Sequence, residues 1–299
     1  METYRAIGEG CVYRLVVRDG LTVAGPDAAT WLQGQVSQDL DPLEVGGSRQ
    51  TLVLSPQGKL EASGRLWRTG DEEYLFEVES GYGERLSERL HRFRLRVKVE
   101  LSRRALSVLE VRGPKAEDVA LPGDAPVTWP GLSGFDRLVD DESAGPTGAA
   151  GGSATAVERG DEGAFEAARI EAGMPRLGRE LDEATIPQEA GEAFTARTVS
   201  FTKGCYTGQE LVARLDARGS NTPRRLRGVV LSGAAARGDR LYVDGAAVGE
   251  LTSVAYSPGW GRPVGLAYAK RSVLPPCAAS VGAAGVAGAE IRSLPLGRG

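Results

Sequence analysis

One short segment of the sequence combines residue types and spacing that suit chemistry. It reads Lys203-Gly204-Cys205-Tyr206-Thr207-Gly208-Gln209-Glu210. Thr207 and Glu210 have the spacing of a capping box, in which each side chain accepts a hydrogen bond from a backbone N–H at a helix start. This spacing predicts a helix that begins at Gly208 and ends at Gly219.

Cys205 lies two residues before this predicted cap. Unpaired backbone N–H groups carry partial positive charge there, and together with the nearby Lys203 they favour a thiolate over a thiol. We therefore predict Cys205 and Lys203 as the catalytic pair of the chain. The structural alternative is a small buried cysteine beside a cap, since most free cysteines serve only as packing residues.

The remaining residue types exclude several kinds of site. The sole histidine, His91, cannot form a multi-histidine zinc site, and Cys11, Cys205 and Cys277 have no C-x-x-C spacing. We predict no metal site, and no dinucleotide or nucleoside triphosphate site because the glycine-rich phosphate motifs are absent. Charged residues in the first twenty positions argue against an export signal, and we expect no membrane contact. A cytoplasmic location fits these features.

Composition sets the overall class and the domain organisation. The chain has 299 residues, a net charge of -4 and 41 glycines, which suggests about two domains with many tight turns. A linker signal at 221–223 predicts one region over 1–222 and a second over 223–299. Short alternating strands predict an all-β second region. Small uncharged residues over 143–157 predict a flexible surface loop.

Strands and short helices mix in the first region, so we expect the α+β class. Leu86 and Leu90 predict a helix over 82–92. Apolar residues then alternate with arginine and lysine over 93–99, which predicts a strand with a basic outer face.

The segment 203–210 resembles the signature of the YgfZ family of folate-binding proteins. These are relatives of the T-protein, the aminomethyltransferase of the glycine cleavage system. Three more segments are similar to motifs of the family in the expected order: Trp31-Leu32-Gln33-Gly34-Gln35-Val36-Ser37-Gln38-Asp39-Leu40, Arg169-Ile170-Glu171-Ala172-Gly173-Met174-Pro175 and Ile186-Pro187-Gln188-Glu189. Together the four segments span most of the first region.

The resemblance implies a GcvT-like folate-binding fold, with mixed sheets and helices around a central cavity that accepts tetrahydrofolate, plus a small C-terminal β-barrel. It also implies a function, which is support for the assembly or repair of iron–sulphur clusters in client enzymes, including enzymes that modify tRNA. The partners would be folate and iron–sulphur client or assembly proteins. Three dispersed cysteines cannot supply four thiolate ligands, so any cluster contact would be transient, shared or through Cys205 alone.

The resemblance also assigns the folate ligands. In the T-protein, a glutamate of the matching motif binds the pterin, and Glu171 occupies that place. A carboxylate suits this task because its two oxygens accept hydrogen bonds from the ring N–H and the exocyclic amine. We predict three further folate-binding residues beside Glu171. They are Arg169, Phe165, which would form an aromatic wall, and Tyr206. The structural alternatives are a capping carboxylate for Glu171 and a plain core aromatic for Phe165.

One departure from the T-protein puts enzymatic activity in doubt. The T-protein has a pair of aspartates after a glycine-rich turn, and the matching stretch here contains Glu61 and Ala62. A longer carboxylate one position away would be misplaced, which can cost on the order of 100-fold in rate. The first alternative function is still a folate-dependent aminomethyltransferase or demethylase of the T-protein type.

Two arginine-rich stretches, over 214–227 and 85–104, provide a second alternative. Either could attract the glutamate tail of folate, an acidic partner protein or RNA phosphates. The second alternative function is therefore a direct tRNA-binding module, or a weak tRNA contact within the leading function. Ordinary solvated helix and strand faces would also explain both stretches.

Overall fold

A computed structural model describes residues 1–140, 146, 157–282 and 287–299. The predicted loop over 143–157 lies outside the described residues apart from its positions 146 and 157. Within the described residues six α-helices form: α1 (Glu2–Glu9), α2 (Ala28–Gln33), α3 (Gly83–Arg92), α4 (Glu162–Ala172), α5 (Glu192–Thr198) and α6 (Gln209–Ala217).

The same residues form fourteen strands in chain order. They are β1 (Val12–Ala24), β2 (Ser48–Leu54), β3 (Leu60–Arg68), β4 (Glu73–Glu79), β5 (Glu100–Arg112), β6 (Ala125–Trp129), β7 (Leu132–Val139), β8 (Glu158–Arg159), β9 (Arg224–Leu231), β10 (Arg240–Val243), β11 (Ala246–Ser257), β12 (Arg262–Lys270), β13 (Cys277–Val281) and β14 (Ala287–Arg292). No helix in the described part of the chain is both long enough and apolar enough to cross a membrane.

The first eight strands make one sheet in the order β2-β3-β4-β1-β5-β7-β6, with β8 paired in parallel to β1. The strand β4 illustrates how the two faces differ. Tyr74, Phe76 and Val78 pack into an apolar core together with side chains of α2 and α3. Glu77 and Glu79 alternate to the other face, because successive strand residues point to opposite sides. That second face is therefore charged where it lines a cavity.

The last six strands close into a barrel in the order β10-β11-β12-β9-β14-β13. Its interior is filled by aliphatic side chains such as Val229, Leu241, Leu251 and Ile291, none of which is exposed. Closure leaves no unpaired strand edge. The α+β class, the mixed sheet with helices and the C-terminal barrel expected from the sequence are thus confirmed.

The region after α3 differs from its prediction. The helix predicted over 82–92 is confirmed as α3, but residues 93–99 are outside any strand and β5 begins at Glu100. Phe93 and Leu95 are exposed rather than packed on a sheet. Arg96 has a φ of 57°, a left-handed conformation that a strand does not contain. The left-handed conformation of Arg96 therefore interrupts the alternating pattern, and these residues do not form a strand.

Candidate functional site

Arg169 lies in α4 and uses all five guanidinium N–H groups inside the protein. It donates to both oxygens of Glu166, to Glu180 at 3.0 Å, to the hydroxyl of Ser253 at 2.7 Å and to the carbonyl of Met174. Burial alone would lower the pKa of Arg169, but Glu180 and Glu166 outweigh burial and raise it. The side chain therefore ties α4 to the barrel strand β11.

Glu171, the predicted pterin ligand, is also bonded within the protein. Its carboxylate accepts the hydroxyl of Tyr4 at 2.8 and 2.9 Å and the hydroxyl of Ser257 at 2.5 Å. Only 3% of the residue is exposed, and this burial raises the pKa of Glu171. Its contacts join α1, α4 and β11.

A central cavity of about 150 Å³ lies between the charged face of the large sheet and the helices α4 and α5. Phe165 and Arg169 line it, whereas Glu171 and Tyr206 are not among the described residues that do. The guanidinium of Arg14 lies over the ring of Phe165, 4.6 Å from its centroid. Of the four predicted folate ligands, the structure thus brings two to this cavity.

Alternating cations and carboxylates cover the sheet side of the cavity. The pairs are Arg14–Glu110 at 2.7 Å, Arg18–Glu79 at 2.6 Å, Arg18–Glu110 at 2.8 Å, Arg112–Asp136 at 2.7 Å, Arg65–Asp136 at 3.1 Å and Arg176–Glu79 at 3.2 Å. These residues were missed by sequence reasoning. The signal that could have found them is a charged residue at every second position of otherwise apolar strands, as in Glu77 and Glu79 of β4.

Glu77 is the cavity carboxylate with the weakest pairing. It accepts the indole N–H of Trp67 at 2.8 Å, and its nearest ion-pair contact, with Arg18, is 3.7 Å long. Burial, followed by the charge of Asp136, raises the pKa of Glu77 to about 7. The cavity therefore contains one carboxyl group that exchanges a proton near neutral pH.

Trp129 lines the same cavity and carries an unpaired donor. The residue is 6% exposed and lines the cavity beside Phe194 and Thr198. Its indole N–H has no hydrogen-bond acceptor within the described residues. A buried donor without an acceptor costs free energy, so this N–H is suited to an acceptor on a bound ligand.

The second predicted site is the segment 203–210, where Lys203 is used structurally. Its ammonium donates to the carbonyls of Gln33, Val36 and Gln38, each at 2.8 Å. Burial lowers the pKa of Lys203 to about 8, although Asp39 and Asp41 act in the opposite direction. Because an ammonium has three N–H donors, none is left for the sulfur of Cys205. Lys203 instead joins two of the four segments that carry the family resemblance, 203–210 and 31–40.

More hydrogen bonds connect the segment 31–40 to residues 198–207. Ser37 donates to the carbonyl of Thr198 at 2.6 Å, and the N–H of Ser200 donates to the carbonyl of Ser37 at 2.9 Å. The N–H of Thr207 donates to the carbonyl of Gly34 at 3.1 Å. The segment 31–40 and residues 198–207, about 160 residues away along the chain, therefore form one hydrogen-bonded unit, which we call the platform.

The predicted capping box is wrong. The helix α6 begins at Gln209, and its N-cap is Gly208 in a left-handed conformation with a φ of 84° and no side-chain cap. A Cβ at Gly208 would lie 2.3 Å from the carbonyl of Ser55, so only glycine fits there. The Gln209 side chain instead accepts the N–H of Tyr206 at 3.0 Å. Tertiary contact with the turn at 55–58 decides the conformation.

In this platform the side chain of Cys205 is exposed and that of Tyr206 is buried. Cys205 is exposed, so the alternative of a buried packing cysteine is wrong. A Cβ at Gly204 would meet open space, and Phe201 nearby in the chain is also exposed. Tyr206 is buried in the apolar core, where burial raises its pKa to about 12. The platform therefore presents a thiol to the outside.

Comparison with known proteins identifies the family. A model of the GCVT N-terminal domain matches residues 18–122, and a model of the glycine cleavage T-protein C-terminal barrel domain matches residues 224–291. The chain belongs to the GcvT-like superfamily. An uncharacterized protein of Haemophilus influenzae is 29% identical over 201 residues, which cover 67% of each chain.

Two aminomethyltransferases are similar over more of this GcvT-like chain. The Streptomyces coelicolor enzyme is 29% identical over 91% of the chain and 80% of its own length. The Thermus thermophilus enzyme is 29% identical over 82% of the chain and 75% of its own length. The crystal structure of the glycine cleavage system aminomethyltransferase T from Bartonella henselae has the same fold, with a TM-score of 0.78 at 17% identity, and the match covers 99% and 89% of the two chains.

The positions that match the acidic pair of the T-protein carry no unpaired carboxylate in this GcvT-like chain. Glu61 forms an ion pair with Arg89, whose guanidinium also donates to the carbonyl of Leu54. Ala62 is buried in the apolar core under α2 and α3. Ala62 therefore has no carboxylate, and the carboxylate of Glu61 is engaged by Arg89.

The arginine-rich stretch over 214–227 does not form one continuous basic face. Arg224 pairs with Glu189 at 3.1 Å and lies 4.3 Å from the ring centroid of Tyr268. Arg225 donates to the carbonyl of Ser220 at 3.1 Å. These contacts turn part of the stretch toward the protein, which weakens the case for a phosphate-binding stripe.

Proposed function

We propose that this GcvT-like chain binds tetrahydrofolate in its central cavity. The single observation that supports this most is the buried, unpaired indole N–H of Trp129, a residue that lines the cavity together with Phe165. A pterin has a flat ring that stacks on an aromatic side chain and polar edge atoms that need donors and acceptors. The charged sheet face supplies further groups of both kinds.

Trp129→Phe tests this proposal, because it removes the N–H and keeps an aromatic ring. We expect tetrahydrofolate to bind about five- to tenfold more weakly, the effect of one lost hydrogen bond. The free protein should lose no hydrogen bond, since the N–H has no acceptor, and its stability should fall only by the cost of the smaller ring in the core. Isothermal titration with purified protein measures the affinity.

Trp260→Phe is the matched control, because the Trp260 N–H donates to the carbonyl of Gly297 in the barrel. It should leave the affinity unchanged. Absence of tetrahydrofolate binding by the wild-type protein, or equal affinities of the wild-type and Trp129→Phe proteins, would contradict the proposal.

We propose further that the chain acts as a YgfZ-type protein, which supports iron–sulphur cluster assembly or repair in client enzymes, among them tRNA-modifying ones. The exposed thiol of Cys205 on the platform supports this. A thiolate can hold iron briefly or exchange with another thiol. A reducing cytoplasm suits an exposed free thiol.

The cellular test replaces the native protein with variants and measures client enzymes and tRNA modification. Cys205→Ser should remove this support, whereas Cys277→Ser, at a half-buried cysteine of the barrel, should retain it. Normal client activity with Cys205→Ser would refute a role for the thiol. Folate affinity measured on the same variant separates this outcome from failure of the folate site.

A folate-dependent aminomethyltransferase or demethylase is the second candidate. Its support is the aminomethyltransferase relatives and the presence in the cavity of Glu77, whose pKa near 7 suits proton transfer. The paired Glu61 and the apolar Ala62 argue against it. Glycine cleavage assayed with the purified protein should give no turnover. Turnover that is lost in Glu77→Gln would replace our leading proposal with this one.

A further inference from the structure

A second cleft, of about 480 Å³, lies between the first turns of α4, the turn over 174–180 and the barrel. Three arginines line it, namely Arg176 and Arg179 from this turn and Arg237 from the barrel region. The guanidinium of Arg237 donates to the carbonyl of Gly178 at 2.9 Å, which fixes the barrel loop against the turn. The cleft is thus a built feature of the interface between the two regions.

The carboxylates of this cleft are already neutralised by other arginines. Glu166 binds Arg169 through both oxygens, at 2.9 and 2.7 Å, and Glu162 pairs with Arg14 at 2.6 Å. Arg179 and Arg237 are exposed and make no ion pair with any carboxylate in the described part of the chain. The charge left over in the cleft is therefore positive.

The cleft lies next to the central cavity. Arg176 lines both of them, and its guanidinium pairs with Glu79 of the cavity at 3.2 Å. Arg169 lines the cavity, while its partners Glu166 and Ser253 line the cleft. The cavity and the cleft therefore adjoin at Arg176, and a ligand that extends past this side chain would occupy both.

We propose that this cleft binds the γ-glutamyl tail of a folate whose pterin lies in the central cavity. The inference rests on the proposed folate binding and names the form of folate that the chain selects. Each added glutamate brings one carboxylate, and the guanidinium fork matches a carboxylate in geometry. Tyr256, exposed at the edge of the cleft, offers a surface for the methylene groups of the tail.

The test compares the affinities of tetrahydrofolate carrying one and five glutamates, measured by titration on the full chain. In the wild-type protein we expect the pentaglutamate to bind about tenfold more tightly at low salt, and the ratio should shrink as salt screens the charges. Arg179→Gln combined with Arg237→Gln should bring this ratio close to one. Arg240→Gln, at an exposed arginine of β10 outside the cleft, should keep the wild-type ratio.

These affinities distinguish failure of the tail site from failure of the folate site. Binding of the monoglutamate with a wild-type ratio near one, or a full ratio in the double variant, would overturn the tail site and leave folate binding intact. Absence of monoglutamate binding would instead overturn the folate proposal. In that case a γ-pentaglutamate peptide without a pterin still tests the cleft, which should bind it in the wild type and not in the double variant. Stronger arginine-dependent binding of tRNA than of the pentaglutamate would also overturn the inference.

Discussion

The segments 169–175 and 203–210 both combine a cation with a second reactive group, yet the fold uses them differently. In α4, every hydrogen-bonding group of the Arg169 guanidinium and both oxygens of Glu171 are bonded inside the protein. In the other segment, only Lys203 is satisfied in this way, and Cys205 stays exposed. The first segment connects the N-terminal region to the barrel, and the second exposes a thiol to solvent.

This difference teaches how to separate a supporting residue from a reactive one. A buried charge with all of its partners supplied by the protein stabilises the fold, because removing it leaves those partners unpaired. A group that is exposed, or that has an unpaired donor or acceptor, is available to a ligand or a partner. By this criterion the thiol of Cys205 and the unpaired N–H of Trp129 are the groups available for function. Arg169, Glu171 and Lys203 support the fold.

The largest expected effect is that of Arg169→Ala. It leaves Glu180 buried without its cation, and the side chain of Glu180 has no exposed surface. We expect the free energy of unfolding to fall by roughly 3–5 kcal/mol. Urea denaturation measures it, with the exposed Arg240→Ala as control, which should change it by less than about 0.5 kcal/mol. A fully stable Arg169→Ala protein would contradict the supporting role of this segment.

Lys203→Met should have the next largest effect on stability. Three partly buried carbonyls lose a charged donor at once, and we expect a loss of roughly 2–3 kcal/mol in the free energy of unfolding. The rate of Cys205 alkylation against pH should keep its midpoint, because the ammonium is bonded to carbonyls and not to the sulfur. A shifted midpoint with unchanged stability would show that Lys203 acts on the thiol.

Glu171→Gln should lower stability by about 1–2 kcal/mol through weaker bonds with Tyr4 and Ser257. Tyr4→Phe should cost a similar amount, and the double variant should lose less than the sum because both changes break one contact. Titration with tetrahydrofolate provides the sharper comparison. Affinity about 10- to 150-fold weaker in a stable Glu171→Gln protein would assign the carboxylate to the pterin instead.

Cys205→Ser should have the smallest effect on stability, within about 0.5 kcal/mol, because the side chain is exposed. In the wild-type protein Cys205 should be alkylated faster than Cys11, which is half-buried and whose pKa is raised by burial. Mass spectrometry of the labelled cysteines at several times gives both rates. Equal rates at neutral pH would show that the Cys205 thiol is no more available than a half-buried one. That result would contradict the contrast between the two segments.

The parts of the fold that could be predicted from sequence are those with a local cause. The helix α3 follows from the spacing of Leu86 and Leu90, and the barrel follows from short alternating strands joined by tight turns. The strand predicted over 93–99 failed because alternation alone does not supply a neighbouring strand. The capping box failed because the contact of Gly208 with Ser55, far away in the chain, sets the backbone there.

The sequence by itself determined which segments matter, because glycine, cysteine and charge at fixed spacing are local properties of the chain. Only the tertiary structure decided what each side chain does there. A lysine next to a cysteine in sequence turned toward three carbonyls of a segment about 165 residues away, and a glutamate in a ligand motif turned toward Tyr4 and Ser257. The physical reason is that a buried charge must find partners wherever packing brings them, and packing depends on the whole chain.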